Sequence, residues 1–124
     1  MMEEKKRVLI AEDDEDVILV LKEGLKGYEF ITAKDGKEAY KKIKSEHPDL
    51  IILDVMMPEI NGADLNKRLK REDEVKDIPV LIITGRPNLR GLFSDSGVNK
   101  VSGFLEKPFS LKILKEELEK IINK

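Results

Sequence analysis

Four places in the chain present residues able to act on a charged substrate: Glu12-Asp13-Asp14 in the run EDDED, Asp54 after LIIL, Thr84 after PVLII, and Lys107 after GFLE. Each follows a short apolar run. Carboxylates held within a few ångströms of one another repel, and each raises the pKa of the others unless a cation intervenes. Oxygen-only ligands suit a hard ion, and a few carboxylates that leave room for water suit Mg²⁺ better than a dedicated Ca²⁺ cage. A phosphate-binding loop in the first position would need glycines and backbone N–H groups. Glu12, Asp13 and Asp14 instead repel phosphate unless a metal is bound. An aspartate is ionised at neutral pH and needs no base to become a nucleophile. Acids, one nucleophile-capable carboxylate, a hydroxyl and an ammonium together make a set for phosphoryl transfer, where positioning and charge neutralisation do most of the catalysis. Taken singly, each residue has a plainer use. Acids favour a helix start, Asp54 can open an Asx turn into Pro58, a threonine can cap, and a lysine is usually solvated.

The elements that must position these residues can be read from apolar periodicity. Strands are expected at Arg7–Ala11, Tyr28–Ala33, Leu50–Leu53, Pro79–Thr84 and Gly103–Lys107. Between them, Val17, Val20, Leu21 and Leu25 recur at helical spacing up to Gly27, and Ala39, Tyr40 and Ile43 form a second helical face ended by Pro48. A third helix spans about Gly62 to Leu69. The last, with Leu111, Leu114, Leu118, Ile121 and Ile122 on one face, has Ser110 as its N-cap. Strand alternating with helix five times argues a parallel sheet covered on both faces. The first, third and fourth strands are continuously apolar and therefore central. Glu29 in the second strand and the brevity of the fifth place those two at the edges. Right-handed crossovers then favour a doubly wound, flavodoxin-like α/β sandwich with strand order 2-1-3-4-5. Ligands in such sheets bind beyond the carboxyl ends of the strands where the order reverses, here between strands one and three. That is where Glu12, Asp13 and Asp54 fall.

Bulk properties narrow the function classes. The 124 residues suffice for a single domain, expected to span 1–124, without internal repeat or linker. Charged residues make up 39% and hydrophobic residues 40%, with a net charge of −2, so nothing in the balance draws the chain to nucleic acid or anionic lipid. Cysteine is absent, which excludes disulfides, thiolate metal sites and cysteine nucleophiles. No apolar run approaches the roughly 18 residues of a membrane span, and the charged start carries no apolar signal region, so a cytoplasmic location is expected.

In this order and at these strand ends, Glu12-Asp13, LDVMMPEING around Asp54, Thr84-Gly85 and FLEKPF with Lys107-Pro108 resemble the receiver domains of bacterial response regulators. The resemblance covers essentially the whole chain. It implies that Asp54 accepts a phosphoryl group from the phosphohistidine of a sensor histidine kinase or phosphotransfer protein. Mg²⁺ would be ligated by Asp13, Asp54 and the backbone carbonyl of Met56, with Glu12 acting directly or through water. Thr84 would hydrogen-bond a phosphoryl oxygen, and Lys107 would pair with the aspartate and then with the phosphate. Phe104 stands where the family has its switch aromatic, and Lys107-Pro108 where it usually has a cis peptide. Such a domain catalyses only its own phosphorylation and dephosphorylation and is not otherwise an enzyme. As a monomer or weak dimer it would dock a downstream target protein through its fourth helix, fifth strand and fifth helix, with no direct nucleic-acid or membrane contact.

The sequence departs from the family pattern at two points. Its first acid is Glu12 where Asp is commoner, which changes the reach of one metal ligand. Between Thr84 and Phe104 only Leu89, Leu92 and Phe93 keep a helical face, while Gly91, Ser94, Ser96 and Gly97 disfavour helix, so the fourth helix is expected to be short or mobile. Met56 and Arg86 flank the path of a water attacking the phosphoryl group and are expected to tune its lifetime. A haloacid-dehalogenase-type enzyme would need a second aspartate where Met56 stands. A flavodoxin-like cofactor binder is opposed by the acidic first loop. A phosphorylation-independent pseudo-receiver would ordinarily lack Asp54 or Lys107. The chain stops soon after its last helix with no DNA-binding segment, which suits a stand-alone regulator or the receiver part of a longer one.

Overall fold

A computed structural model describes residues 6–56, 61–93 and 100–122. Met57 and Pro58, and Ser94, Ser96 and Gly97, lie outside the described residues, as does the side chain of Ile122. The chain runs β1 (Arg7–Ala11), α1 (Glu15–Gly24), β2 (Glu29–Ala33), α2 (Gly36–Glu46), β3 (Leu50–Asp54), α3 (Gly62–Lys70), β4 (Val80–Thr84), a 3-10 helix (Pro87–Leu92), β5 (Gly103–Glu106) and α4 (Leu111–Ile122). The five strands form one sheet in the order β2-β1-β3-β4-β5, and every pairing is parallel. Alternate strand residues feed two cores. Leu9, Ile51, Leu53, Val80 and Ile82 face Ile43 of α2 and Leu65 and Leu69 of α3. Val8, Ile10, Ile52, Leu81 and Ile83 face Ile18 and Leu21 of α1 and Leu114 and Leu118 of α4. Strands buried on both faces must read as unbroken apolar runs, and β1, β3 and β4 do.

Helix ends follow local chemistry. Asp14 Oδ1 accepts from the Asp16 N–H at 2.9 Å, Asp35 Oδ1 from Glu38 at 2.7 Å and Asn61 Oδ1 from Asp64 at 2.9 Å. Ser110 Oγ accepts from Ile113 at 3.2 Å, as its position before the last helix predicts. Two stops come earlier than the sequence suggested. The first helix ends at Gly24, and Gly27 (φ 97°) turns the chain into β2. The second ends at Glu46, before Pro48, because the proline ring bars the preceding residue from right-handed helix; His47 takes a left-handed conformation instead (φ 47°). After β4 the expected fourth helix is the six-residue 3-10 helix, so α4 here is the chain's last helix.

Gly62 opens α3 against the end of β3, donating its N–H to the Val55 carbonyl at 2.9 Å. A Cβ there would lie 2.7 Å from the Asp54 carbonyl oxygen and 2.8 Å from Val55 Cα. Neither backbone atom can move without displacing the strand end. Gly62→Ala is expected to lower stability by about 1–3 kcal/mol, read as a lower urea midpoint. Gly91→Ala, where a Cβ meets open space, is expected to leave the midpoint close to wild type.

Candidate functional site

The register of the sheet assembles the acids. β1 pairs with β3 through Ala11 and Leu53, so the next residue on each strand, Glu12 and Asp54, emerges side by side. Glu12, Asp13 and Asp54 each place a carboxylate oxygen within 4.8 Å of the others. Glu12 and Asp54 are buried and Asp13 is exposed, so the cluster opens to solvent on the Asp13 side. The acidic run EDDED thereby divides its labour. Glu12 and Asp13 join the cluster, Asp14 caps α1, and Glu15 and Asp16 stand in its first turn where the helix dipole favours them.

Lys107 arrives from the other side of the site. Its backbone N–H donates to the Thr84 carbonyl at 2.7 Å, which fixes the end of β5 beside the end of β4, and the Lys107-Pro108 peptide is cis. The ammonium lies 2.5 Å from Glu12 Oε1 and 3.4 Å from Asp54 Oδ2. Its closer partner is therefore Glu12, and the expected pairing with Asp54 is the longer contact. The extra methylene of a glutamate supplies that reach. Glu12 Oε2 is buried and has no hydrogen-bond partner among the described residues. Burial is the largest influence on Glu12 and the neighbouring Asp54 adds to it, while Lys107 pulls the other way; together they push its carboxyl up to about 8. Burial opposes the charge on Lys107, but Glu12 and Asp54 outweigh it and its pKa is raised. An unpartnered buried carboxylate oxygen in a set of three oxygen donors fits a hard divalent cation, which would satisfy Oε2 and relieve the repulsion.

Thr84 is fully buried at the end of β4, one residue beyond Ile83, the register partner of Asp54. Its Oγ1 accepts from the Arg86 N–H at 3.0 Å, leaving the hydroxyl hydrogen free of that bond. The Met56 N–H donates to Asp54 Oδ1 at 3.1 Å, and the Met56 side chain is exposed. Phe104 lies opposite Ile82 and therefore below the site proper, half-buried against the core on the α2–α3 face and beside the Phe93 ring. The structure thus brings Lys107 into contact with Glu12 and Asp54, sets Asp13 within 4.8 Å of both acids, places Thr84 on the adjacent strand end, and leaves Phe104 at a distance. The sequence reading passed over Arg90, whose guanidinium carbon lies 5.0 Å from the centroid of the Phe104 ring. It also passed over Asn66, buried in α3 with its amide donating to the Lys100 carbonyl at 3.0 Å. The only signal for Asn66 was a polar residue beside Leu65 on an otherwise apolar helix face.

The raised carboxyl of Glu12 has a thermodynamic sign. Unfolded, it titrates near 4.5; folded, near 8. Between those values the folded chain holds a proton that the unfolded chain has released, so stability without a divalent cation falls as pH rises through this window. Between pH 5 and pH 8.5 the wild type is expected to lose about 1–3 kcal/mol more than Glu12→Gln does, measured by urea unfolding in EDTA. Added Mg²⁺ is expected to stabilise the wild type more at pH 8.5 than at pH 5.

The sequence matches the response regulator receiver domain over residues 8–119. It is 33% identical to the alkaline phosphatase synthesis transcriptional regulatory protein PhoP of Bacillus subtilis, over 96% of this chain and 49% of that protein. It is also 33% identical to the response regulator MprA of Mycolicibacterium vanbaalenii, over 95% of this chain and 51% of that protein. The chain spans about half the length of these curated relatives. Among solved structures, a response regulator from Chloroflexus aurantiacus superposes with a TM-score of 0.87 at 30% identity, covering 98% of this chain and all of that one. The chemotaxis response regulator CheY4 of Vibrio cholerae gives 0.85 at 29% identity, over 96% of this chain and all of that one. With the 2-1-3-4-5 parallel sheet and the acidic cluster at its mouth, these matches establish that the chain belongs to the response regulator receiver domain family.

Proposed function

We propose that Asp54 is the phospho-acceptor of this receiver and that Glu12, Asp13 and Asp54 hold Mg²⁺, with the Met56 backbone carbonyl as a further ligand. The observation that carries this reading is the buried Asp54 carboxylate with two further carboxylates and one ammonium gathered around it. An Asp54 oxygen attacks the phosphorus of a phosphohistidine on a kinase or phosphotransfer protein. The P–O bond forms, the P–N bond breaks, and the imidazole leaves with the bond's electrons. Mg²⁺, when bound, neutralises charge on the phosphoryl oxygens. Lys107 sits within reach of Asp54 and meets the incoming negative charge directly, a stabilisation worth most in a buried, water-poor site.

The product is an acyl phosphate, which water can attack at phosphorus to regenerate Asp54. Met56, whose N–H donates to Asp54, and Arg86, whose N–H donates to Thr84, both have exposed side chains, and in this reading they line the approach of that water and tune the lifetime of the signal. The new phosphoryl oxygens are strong acceptors. Thr84 has a hydroxyl hydrogen to donate and turns toward them, and Phe104 moves into the space this vacates. The surface that changes includes the 3-10 helix, β5 and α4, through which a downstream protein is engaged. A bias of a few kcal/mol on a two-state element is enough to drive such a change. The domain itself contacts neither nucleic acid nor membrane. Among the described residues no helix is long and apolar enough to cross a membrane.

Incubation with acetyl phosphate followed by intact-mass measurement tests the acceptor. One added phosphoryl group is expected with Mg²⁺ in the wild type, and none with EDTA or in Asp54→Asn. Absence of the adduct in every condition, together with no binding of beryllofluoride, would overturn the reading and leave a phosphorylation-independent interaction module.

A further inference from the structure

Phe104 has no polar atom, so no hydrogen bond can fix its ring; only packing and electrostatics at its faces and edges can. Both come from the segment that follows Thr84. The Phe93 ring lies 6.1 Å from that of Phe104, tilted by 54°, and the Arg90 guanidinium lies 5.0 Å from the Phe104 centroid. Arg90 is exposed and forms no ion pair with a carboxylate among the described residues, so the aromatic ring is the partner the structure gives it. A guanidinium at this distance is attracted to the negative face of the ring.

A continuous set of short contacts runs from Thr84 to this ring. Thr84 Oγ1 accepts from the Arg86 N–H at 3.0 Å. The Arg86 carbonyl accepts from Leu89 at 3.0 Å, and the Arg90 carbonyl from Phe93 at 3.1 Å. The 3-10 helix is thus tied to the Thr84 hydroxyl through Arg86, the residue before it, and sets Arg90 and the following Phe93 beside Phe104. A 3-10 helix has poorer hydrogen-bond geometry than an α-helix and yields more readily. We propose that Arg90 is a positioning residue that holds Phe104 in its resting place, so that the 3-10 helix acts as a latch. This inference rests on the Thr84–Phe104 switch proposed above. Rotation of the Thr84 side chain about its Cα–Cβ bond, carrying Oγ1 toward a phosphoryl oxygen, removes the acceptor of the Arg86 N–H, loosens the start of the 3-10 helix, and withdraws Arg90 from the ring. By reciprocity, removing Arg90 makes the switched state easier to reach and tightens whatever ligand selects it.

The test uses the full chain labelled with 4-fluorophenylalanine, with the Phe104 resonance assigned by its loss in Phe104→Leu. Wild type and Arg90→Gln are titrated with beryllofluoride in Mg²⁺ and followed by fluorine NMR, which also reports the bound beryllofluoride. Arg90 is exposed, and equal urea midpoints establish that the variant folds. In wild type the Phe104 resonance is expected to move as beryllofluoride binds. In Arg90→Gln it is expected to stand part of the way to the bound position before any ligand is added, with a Kd for beryllofluoride about two- to fivefold lower. If wild-type Phe104 responds but Arg90→Gln shows an unmoved free resonance, or an equal or weaker affinity, the latch is overturned and the switch survives. If beryllofluoride binds and the wild-type Phe104 resonance stays in place, switch and latch fall together.

Discussion

The arrangement of this receiver depends on one electrostatic constraint: three carboxylates gathered where two of them are buried, with one ammonium among them. Such a set is unfavourable in isolation. Burial penalises each charge, and proximity adds repulsion that the low-dielectric interior does not screen. The chain answers with Lys107, held in place by the backbone bond from its N–H to Thr84, and with a Glu12 carboxyl that keeps its proton well above the usual range. Neither removes the frustration. The buried oxygen of Glu12 remains unpartnered, which is the condition of a site built for a ligand and not for its own stability. The stability needed to carry this comes from the two apolar cores beneath, where β3 and β4 are buried along their whole lengths and β1 from Val8 onward.

The same constraint gives meaning to the glutamate at position 12. With Lys107 drawn to Glu12 at 2.5 Å and only 3.4 Å from Asp54, the ammonium sits off-centre from the aspartate. Asp54 keeps one oxygen on the Met56 N–H and offers the other to a longer, weaker contact. In the proposed reaction this leaves the attacking carboxylate shared between a backbone N–H and a distant ammonium, and not locked in one short ion pair. A shorter aspartate at position 12 would reach less far toward Lys107, leaving Asp54 as the nearer alternative.

Much of this was legible in the sequence because the site sits at strand ends, and strand ends are marked by where apolar runs stop. Asp54 and Thr84 announce themselves as the first polar residue after such a run and Lys107 follows the last strand, and the parallel sheet follows from alternation of strand and helix. The early stop of α1 was less legible, because Leu25 continues the helical spacing and is buried although it lies past the helix end. The partner of Lys107 was not legible at all. Which of two adjacent carboxylates an ammonium chooses depends on a difference of about an ångström in side-chain reach, and no spacing rule encodes it. Arg90 escaped for a related reason: an exposed arginine in a glycine-containing segment looks solvated until the strand it faces is known.

Two regions that cover the same face of the sheet differ in how firmly they are tied, and that difference bears on where a change at Asp54 can travel. On the α2–α3 side, Tyr40 donates to Glu72 at 2.8 Å, Lys44 pairs with the same carboxylate at 2.7 Å, and Arg68 stacks over the Tyr40 ring at 4.0 Å. Beside β4 and β5 the chain has instead a six-residue 3-10 helix and a four-residue edge strand whose aromatic is half-buried. Regions with fewer buried contacts open at lower free energy, so the same perturbation at the strand ends displaces them first. Thr84 and Lys107 are the two site residues on that side, joined to each other through the backbone. On the proposed phosphorylation of Asp54, the added charge would pull on the softer edge through both of them, while the braced α2–α3 side would hold the acids in register. The asymmetry would let the site take on the proposed phosphoryl charge without losing the geometry that gathers its acids.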